Sequence, residues 1–145
     1  MKKTQTFPGP FVMLLLLIGL SVLTGSCRKG PGPGGTGTIS GKIFVKDFRT
    51  DSTCMCYKLK EEYYSRGDYV YLNYGDEKGV GQYVRTAEDG TYLFEFLLRG
   101  RYKVYAVSRD TTSFTSNSKR FAVVREIEIT ARKENISVED ITILK

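Results

Sequence analysis

From Thr38 to the C-terminus, apolar and polar residues change places with a period of two. Ile39, Gly41, Ile43 and Val45 alternate with Ser40, Lys42, Phe44 and Lys46, and Val70 and Leu72 alternate with Tyr69, Tyr71 and Asn73. Tyr92, Phe94 and Phe96 share one parity of the next segment, and Tyr102, Val104 and Ala106 share one parity of the segment after it. Ile127, Ile129 and Ala131 oppose Glu126, Glu128 and Thr130. Successive side chains of a strand point to opposite faces, so the pattern predicts strands with one dry and one wet face. Near the end the apolar parity slips, from Ile136 and Val138 to Ile141 and Ile143, and a bulge near Glu139–Asp140 would restore the inward face.

Turn chemistry falls between these segments. Glu88-Asp89-Gly90 and Arg99-Gly100 offer positions that tolerate positive φ. With Gly79–Thr86 counted as a weaker strand, the total is roughly seven, at the spacing of an antiparallel sandwich. No strand alternates with a helix-length segment, which disfavours a parallel α/β sheet. One helix is expected at most, over Tyr57–Arg66 and ended by Gly67. The predicted fold class is all-β: a single seven-stranded antiparallel Greek-key sandwich.

The chain before Thr38 is of another kind. Lys2 and Lys3 stand in an acid-free start, an apolar run extends from Phe11 to Leu23, and Thr24, Gly25 and Ser26 precede Cys27. Basic start, apolar run and small residues are the three parts of a secretory signal peptide. Thirteen residues of helix rise only about 20 Å, short of the roughly 30 Å hydrocarbon core, so a spanning anchor is disfavoured. Between Gly30 and Gly37, glycine and proline dominate and no regular element is expected; the segment reads as a spacer. The expected organisation is a signal peptide over 1–26, a lipidated Cys27 with its tether over 27–37, and one domain over 38–145.

This division changes the meaning of the charge. The chain carries a formal +6, but Lys2, Lys3, Arg28 and Lys29 contribute four of those charges before the domain begins. The basic balance therefore belongs to the export signal and the tether, and implies no nucleic-acid surface. About 108 residues remain for the domain. That suffices for one core without a metal or a disulfide framework.

The run Thr86–Ala106, TAEDGTYLFEFLLRGRYKVYA, resembles the signature of carboxypeptidase-regulatory-like domains, in the positions Thr86, Asp89, Gly90, Tyr92, Phe94, Leu97, Gly100, Tyr102 and Val104. Ile39-Ser40-Gly41-Lys42-Ile43, with Asp47 after it, resembles the family's first strand, and Ile141–Leu144 its last. The resemblance covers about residues 38–145 and implies a transthyretin-like (prealbumin-like) sandwich. Fold is not function, and the same residues have a packing role: the glycines free turns and the aromatic and branched residues fill a core. The chain departs from the family at Phe48–Asp68, an insertion where the family has a short loop, and a specific role is expected there more than in the shared frame. Cys27 with Leu23-Thr24-Gly25-Ser26 resembles a relaxed lipobox, cleaved before a diacylated cysteine. Thr24 stands where tighter forms have a branched residue, and a plain signal peptide cut near this point is the competing possibility.

The candidate chemistry is sparse. Histidine is absent from the whole chain, which removes the commonest general base and metal ligand and any His-based triad. Glu61-Glu62 and Glu88-Asp89 are adjacent acids in surface or turn contexts, where solvation accounts for them. No enzyme, no metal and no cofactor is expected. Arg66-Gly67-Asp68 spells an integrin-type tripeptide, but three residues arise easily by chance and Gly67 has a local purpose as a turn.

Cys54 and Cys56 are the only thiols left once Cys27 is acylated. In an extended strand they would lie about 6.6 Å apart, so a bond between them requires a tight turn. An oxidising compartment favours that bond over two buried thiols, and two thiolates alone make only half a zinc site.

All ten tyrosines fall between Tyr57 and Tyr105, and Tyr69, Tyr71 and Tyr105, like Phe44, oppose the inward parities. Cross-strand aromatic pairing on a wet face explains them, and a binding face for a protein strand or a glycan is the functional alternative. The expected role is a non-catalytic, envelope-anchored interaction or structural module, attached to the membrane through its N-terminal lipid and facing the periplasm from the outer membrane. Its partner is expected to be an envelope protein. An adhesion or fimbria-like subunit, or a glycan- or small-molecule-binding accessory lipoprotein, is the alternative.

Overall fold

A computed structural model describes residues 30–111 and 119–145. They form two sheets packed face to face, with no helix. Strand β1 (Pro33–Asp51) is the centre of the first sheet. Along one side of it lie β5 (Thr91–Leu97), opposite Lys42 and the residues before it, and β2 (Cys56–Tyr64), opposite Phe44 and the residues after it. Along its other side lie β8 (Asn135–Ser137) and β9 (Ile141–Leu144). The second sheet has the order β4 (Gln82–Arg85), β3 (Tyr69–Tyr74), β6 (Gly100–Arg109), β7 (Arg120–Ile129).

The core is what the alternation predicts. Ile39, Ile43 and Val45 of β1 meet Val70 and Leu72 of β3, Tyr92, Phe94 and Leu97 of β5, and Tyr102, Val104 and Ala106 of β6, all buried. Ile129, Ile141 and Ile143 complete it. Each fully buried branched or aromatic side chain contributes about 1.5–3 kcal/mol, so these residues hold the two sheets together. The slip in parity after Val138 appears as a break between β8 and β9, with the Val138 N–H donating to the Ser40 carbonyl across it (2.8 Å).

The expectations need correction at five places. Nine strands form among the described residues instead of seven, and β8 and β9 run parallel to β1, so the first sheet is mixed. Tyr57–Arg66 is not a helix. Its residues belong mostly to β2, which pairs antiparallel with β1 and makes the Phe48–Asp68 insertion the far half of a β-ribbon. Cross-strand ion pairs brace this ribbon, Lys46–Glu62 (3.0 Å) and Lys60–Asp47 (3.4 Å).

Phe96 does not share the inward face of Tyr92 and Phe94. Its φ is +59°, the strand bulges there, and the ring turns out to solvent while Leu97 takes the buried place. The strand β1 begins at Pro33, inside the segment expected to be a structureless tether. The Gly32 N–H donates to the Tyr102 hydroxyl (3.1 Å), and the Leu98 N–H to the Gly32 carbonyl (2.9 Å). Pro31 lies over Gly100, whose φ of +144° and lack of a side chain leave room for it: a Cβ there would stand 2.8 Å from the Pro31 Cβ. Lastly, Ala131 lies beyond the end of β7 and is exposed.

Candidate functional site

Strand parity that buries Val70, Leu72, Val104 and Ala106 must turn Tyr69, Tyr71 and Tyr105 outward on the second sheet. Register then aligns them. Tyr83 of β4 is opposite Tyr71 of β3, Tyr71 is opposite Tyr105 of β6, and Tyr105 is opposite Val124 of β7. One row thus crosses all four strands. The Tyr71 and Tyr105 rings stack with centroids 5.1 Å apart and planes 19° from parallel, and the Tyr71 and Tyr83 rings are tilted at 6.4 Å. Tyr69 stands beside the row, 5.7 Å from Tyr83 and 6.3 Å from Tyr71. Arg85 lies over the Tyr69 ring at 4.6 Å and donates to its hydroxyl, an interaction that raises the arginine's pKa further.

Because Tyr71 and Tyr105 stack, each spends one π-face on the other. What they offer outward is ring edges and hydroxyls. Partial burial pushes the Tyr105 phenol up, and the neighbouring Tyr71 adds to the shift, so the group is a neutral donor and acceptor at ordinary pH. The hydroxyls of Tyr71, Tyr83 and Tyr105 bond to no protein group among the described residues.

The two ends of this face differ in charge. At one end Lys103 is balanced by Glu126 (3.8 Å) and Asp76 (3.5 Å). At the other, Arg109 of β6 stands directly opposite Arg120 of β7. A groove of about 380 Å³ at that end is lined by Tyr69, Tyr71, Val107, Arg109, Arg120 and Lys145, among others.

Phe44 does not belong to this surface. It points outward from the first sheet, on the opposite side of the sandwich, edge-on to Tyr64 with ring centroids 5.4 Å apart. Lys42 sits 5.0 Å over the Tyr64 ring, and the Tyr64 hydroxyl donates to Asp140 (3.1 Å). The expected single face of Phe44, Tyr69, Tyr71 and Tyr105 therefore divides into three tyrosines together and one phenylalanine apart.

Tyr83 was the member missed from the sequence. Its signal was present, since Val84 is partly buried and its neighbour must face out, but the strand is only four residues long. Cys54 and Cys56 are joined by a disulfide at the tip of the β1–β2 ribbon, with Cα atoms 5.2 Å apart. Met55 between them has a φ of +47°, which supplies the tight turn that an i, i+2 bond requires. Cys27 lies outside the described residues. Among the described residues no three His, Cys, Asp or Glu side chains gather to hold a metal, and no helix is long and apolar enough to cross a membrane.

No family model matches the chain, and no curated protein matches it. Among solved structures it is similar to a Pseudomonas aeruginosa protein described as a candidate carbohydrate binder, at 10% identity, with 77% of this chain and 89% of that one covered and a TM-score of 0.42. At that score the likeness carries nothing about a ligand.

Proposed function

We propose that the protein is a non-catalytic lipoprotein of the bacterial cell envelope, anchored at Cys27, whose contact surface is the outer face of the β4-β3-β6-β7 sheet. In this proposal the domain is a member of the carboxypeptidase-regulatory-like, transthyretin-like group. The support is the motif running from Thr86 to Val104. The absence of histidine, with acids that sit in turns and surface ion pairs, supports a role without catalysis. The basic start, apolar run and small residues before Cys27 support export and lipid attachment, and the outer membrane, facing the periplasm, is the proposed place of the anchor.

The observation that carries the contact surface is the row Tyr83–Tyr71–Tyr105–Val124. Tyrosine offers large contact area at low entropic cost, and here neighbouring rings already fix each other in place. Val107, exposed like Val124, extends the row into an apolar-aromatic patch with hydroxyls on it.

Two experiments test the two halves. Palmitate labelling of the wild type, lost in Cys27→Ser together with membrane attachment, supports the anchor; unlabelled wild type refutes it. For the face, Tyr71→Ala with Tyr105→Ala in the anchored full chain is expected to abolish co-purification of the envelope component that the wild type retains. Phe44→Ala, on the other sheet, is expected to leave capture intact. Capture that survives loss of both tyrosines overturns the proposed surface.

A further inference from the structure

Arg109 and Arg120 are cross-strand neighbours on the outer face of the second sheet. Like charges placed directly opposite destabilise a sheet pair, so such a pair calls for a counter-charge. None is supplied: neither guanidinium makes an ion pair with a carboxylate among the described residues. Asp68, which lines the same groove, is engaged by Lys145 (2.6 Å) and by the Ser65 hydroxyl. Arg85, held against the Tyr69 ring, adds a third guanidinium to the same side of the face.

The neighbouring tyrosines point the same way. Stacked on each other, Tyr71 and Tyr105 present ring edges, the electropositive part of an aromatic ring, and phenol O–H donors. Flat stacking of a neutral sugar ring needs a free aromatic face, and the two faces between Tyr71 and Tyr105 are closed to it. Edges, hydroxyls and paired guanidiniums together favour a ligand that is both anionic and rich in hydroxyl groups.

We propose that the groove bordered by Tyr69, Tyr71, Arg109 and Arg120 is a subsite for an acidic glycan. Its carboxylate or sulfate lies between the two guanidinium groups, and its hydroxyls exchange hydrogen bonds with the phenols of Tyr71, Tyr83 and Tyr105. The inference rests on the proposal that this face is the contact surface, and specifies what it meets. A polypeptide partner is the less favoured occupant. Extended peptides add to a free sheet edge through backbone hydrogen bonds, whereas these groups are side chains on the outer face of the sheet, spread from β4 to β7.

The test is calorimetric titration of the full-length protein in detergent micelles with oligogalacturonate, oligomannuronate and a heparin-derived oligosaccharide. A neutral glucan of matched length and a polyglutamate peptide of matched charge serve as comparisons. Binding of at least one acidic sugar is expected, with none of the neutral glucan. Arg109→Gln and Arg120→Gln are each expected to weaken it roughly tenfold, as loss of one charge-assisted hydrogen bond does. Tyr71→Phe, which keeps the ring and removes the hydroxyl, is expected to weaken it by a smaller factor.

Equal binding of polyglutamate overturns the glycan assignment in favour of an acidic protein partner, and equal binding of the neutral glucan overturns the role of the arginines. No binding of any acidic sugar, while envelope capture still depends on Tyr71 and Tyr105, refutes the ligand class and leaves the contact face standing. If capture too ignores those tyrosines, both fall.

Discussion

The ring of Tyr92 lies directly over Gly41, so close that a Cβ at position 41 would stand 2.5 Å from the phenol oxygen. Glycine is required there for space rather than for backbone freedom. Tyr92 is buried on the far side, so the ring cannot simply lift away. Gly41→Ala is expected to destabilise the fold by about 1–3 kcal/mol, the usual result of overpacking a core. Denaturant unfolding of the two proteins checks this, and an unchanged midpoint would show that the ring has room to move.

Phe94 and Phe96 stand two apart in one strand yet have opposite fates. Phe94 is 1% exposed and Phe96 68% exposed. Phe94→Ala is expected to cost about 3–5 kcal/mol, as aromatic truncation in a core does. Phe96→Ala is expected to stay within about 0.5 kcal/mol, as for surface positions, because the left-handed backbone is retained and little packing is lost. Thermal unfolding of both variants in parallel decides it, and comparable losses would contradict the bulge at Phe96.

The Asp89 carboxylate accepts hydrogen bonds from the Thr91 hydroxyl (2.7 Å) and the Thr91 N–H (3.1 Å), with Lys42 at 3.3 Å. These hold its pKa down, at about 2 against an ordinary 3.8. A depressed carboxylate contributes stability that is fully present above its unfolded pKa and is lost as pH falls through the folded one. Asp89→Asn is therefore expected to melt lower than wild type at pH 5 and above, and the gap is expected to close between about pH 4 and pH 2. Melting curves across that range measure it. A gap that stays constant into acid would mean that Asp89 acts through shape alone.

How much of this was legible in the sequence follows from which faces are dry. Strands β3 and β6, and β5 as far as Phe94, could be read because each buries one parity, and Gly90 and Gly100 do adopt positive φ. Strand β2 could not. From Lys58 to Tyr64 every residue is exposed, so no alternation marks it, and its Lys and Glu residues imitate a helix surface. Phe96 was misplaced because parity counting assumes an unbroken pleat. In β7, Phe121 to Val124 are apolar on both faces, which hid Val124 and, just before them, the Arg120 that meets Arg109. The three clustered tyrosines were legible as outward residues. Only register between strands far apart in sequence could show that Tyr83 joins them and that Phe44 lies on the other sheet.

The most direct test of the account is site-specific photocrosslinking in intact cells, with a photoreactive amino acid in place of Tyr83 on the outer face of the second sheet. A matched probe replaces Glu95, exposed on the first sheet. The expected result is a discrete crosslinked envelope component from position 83 and none from position 95. Crosslinks from position 95 with none from position 83 would contradict the tyrosine face as the surface through which this protein works.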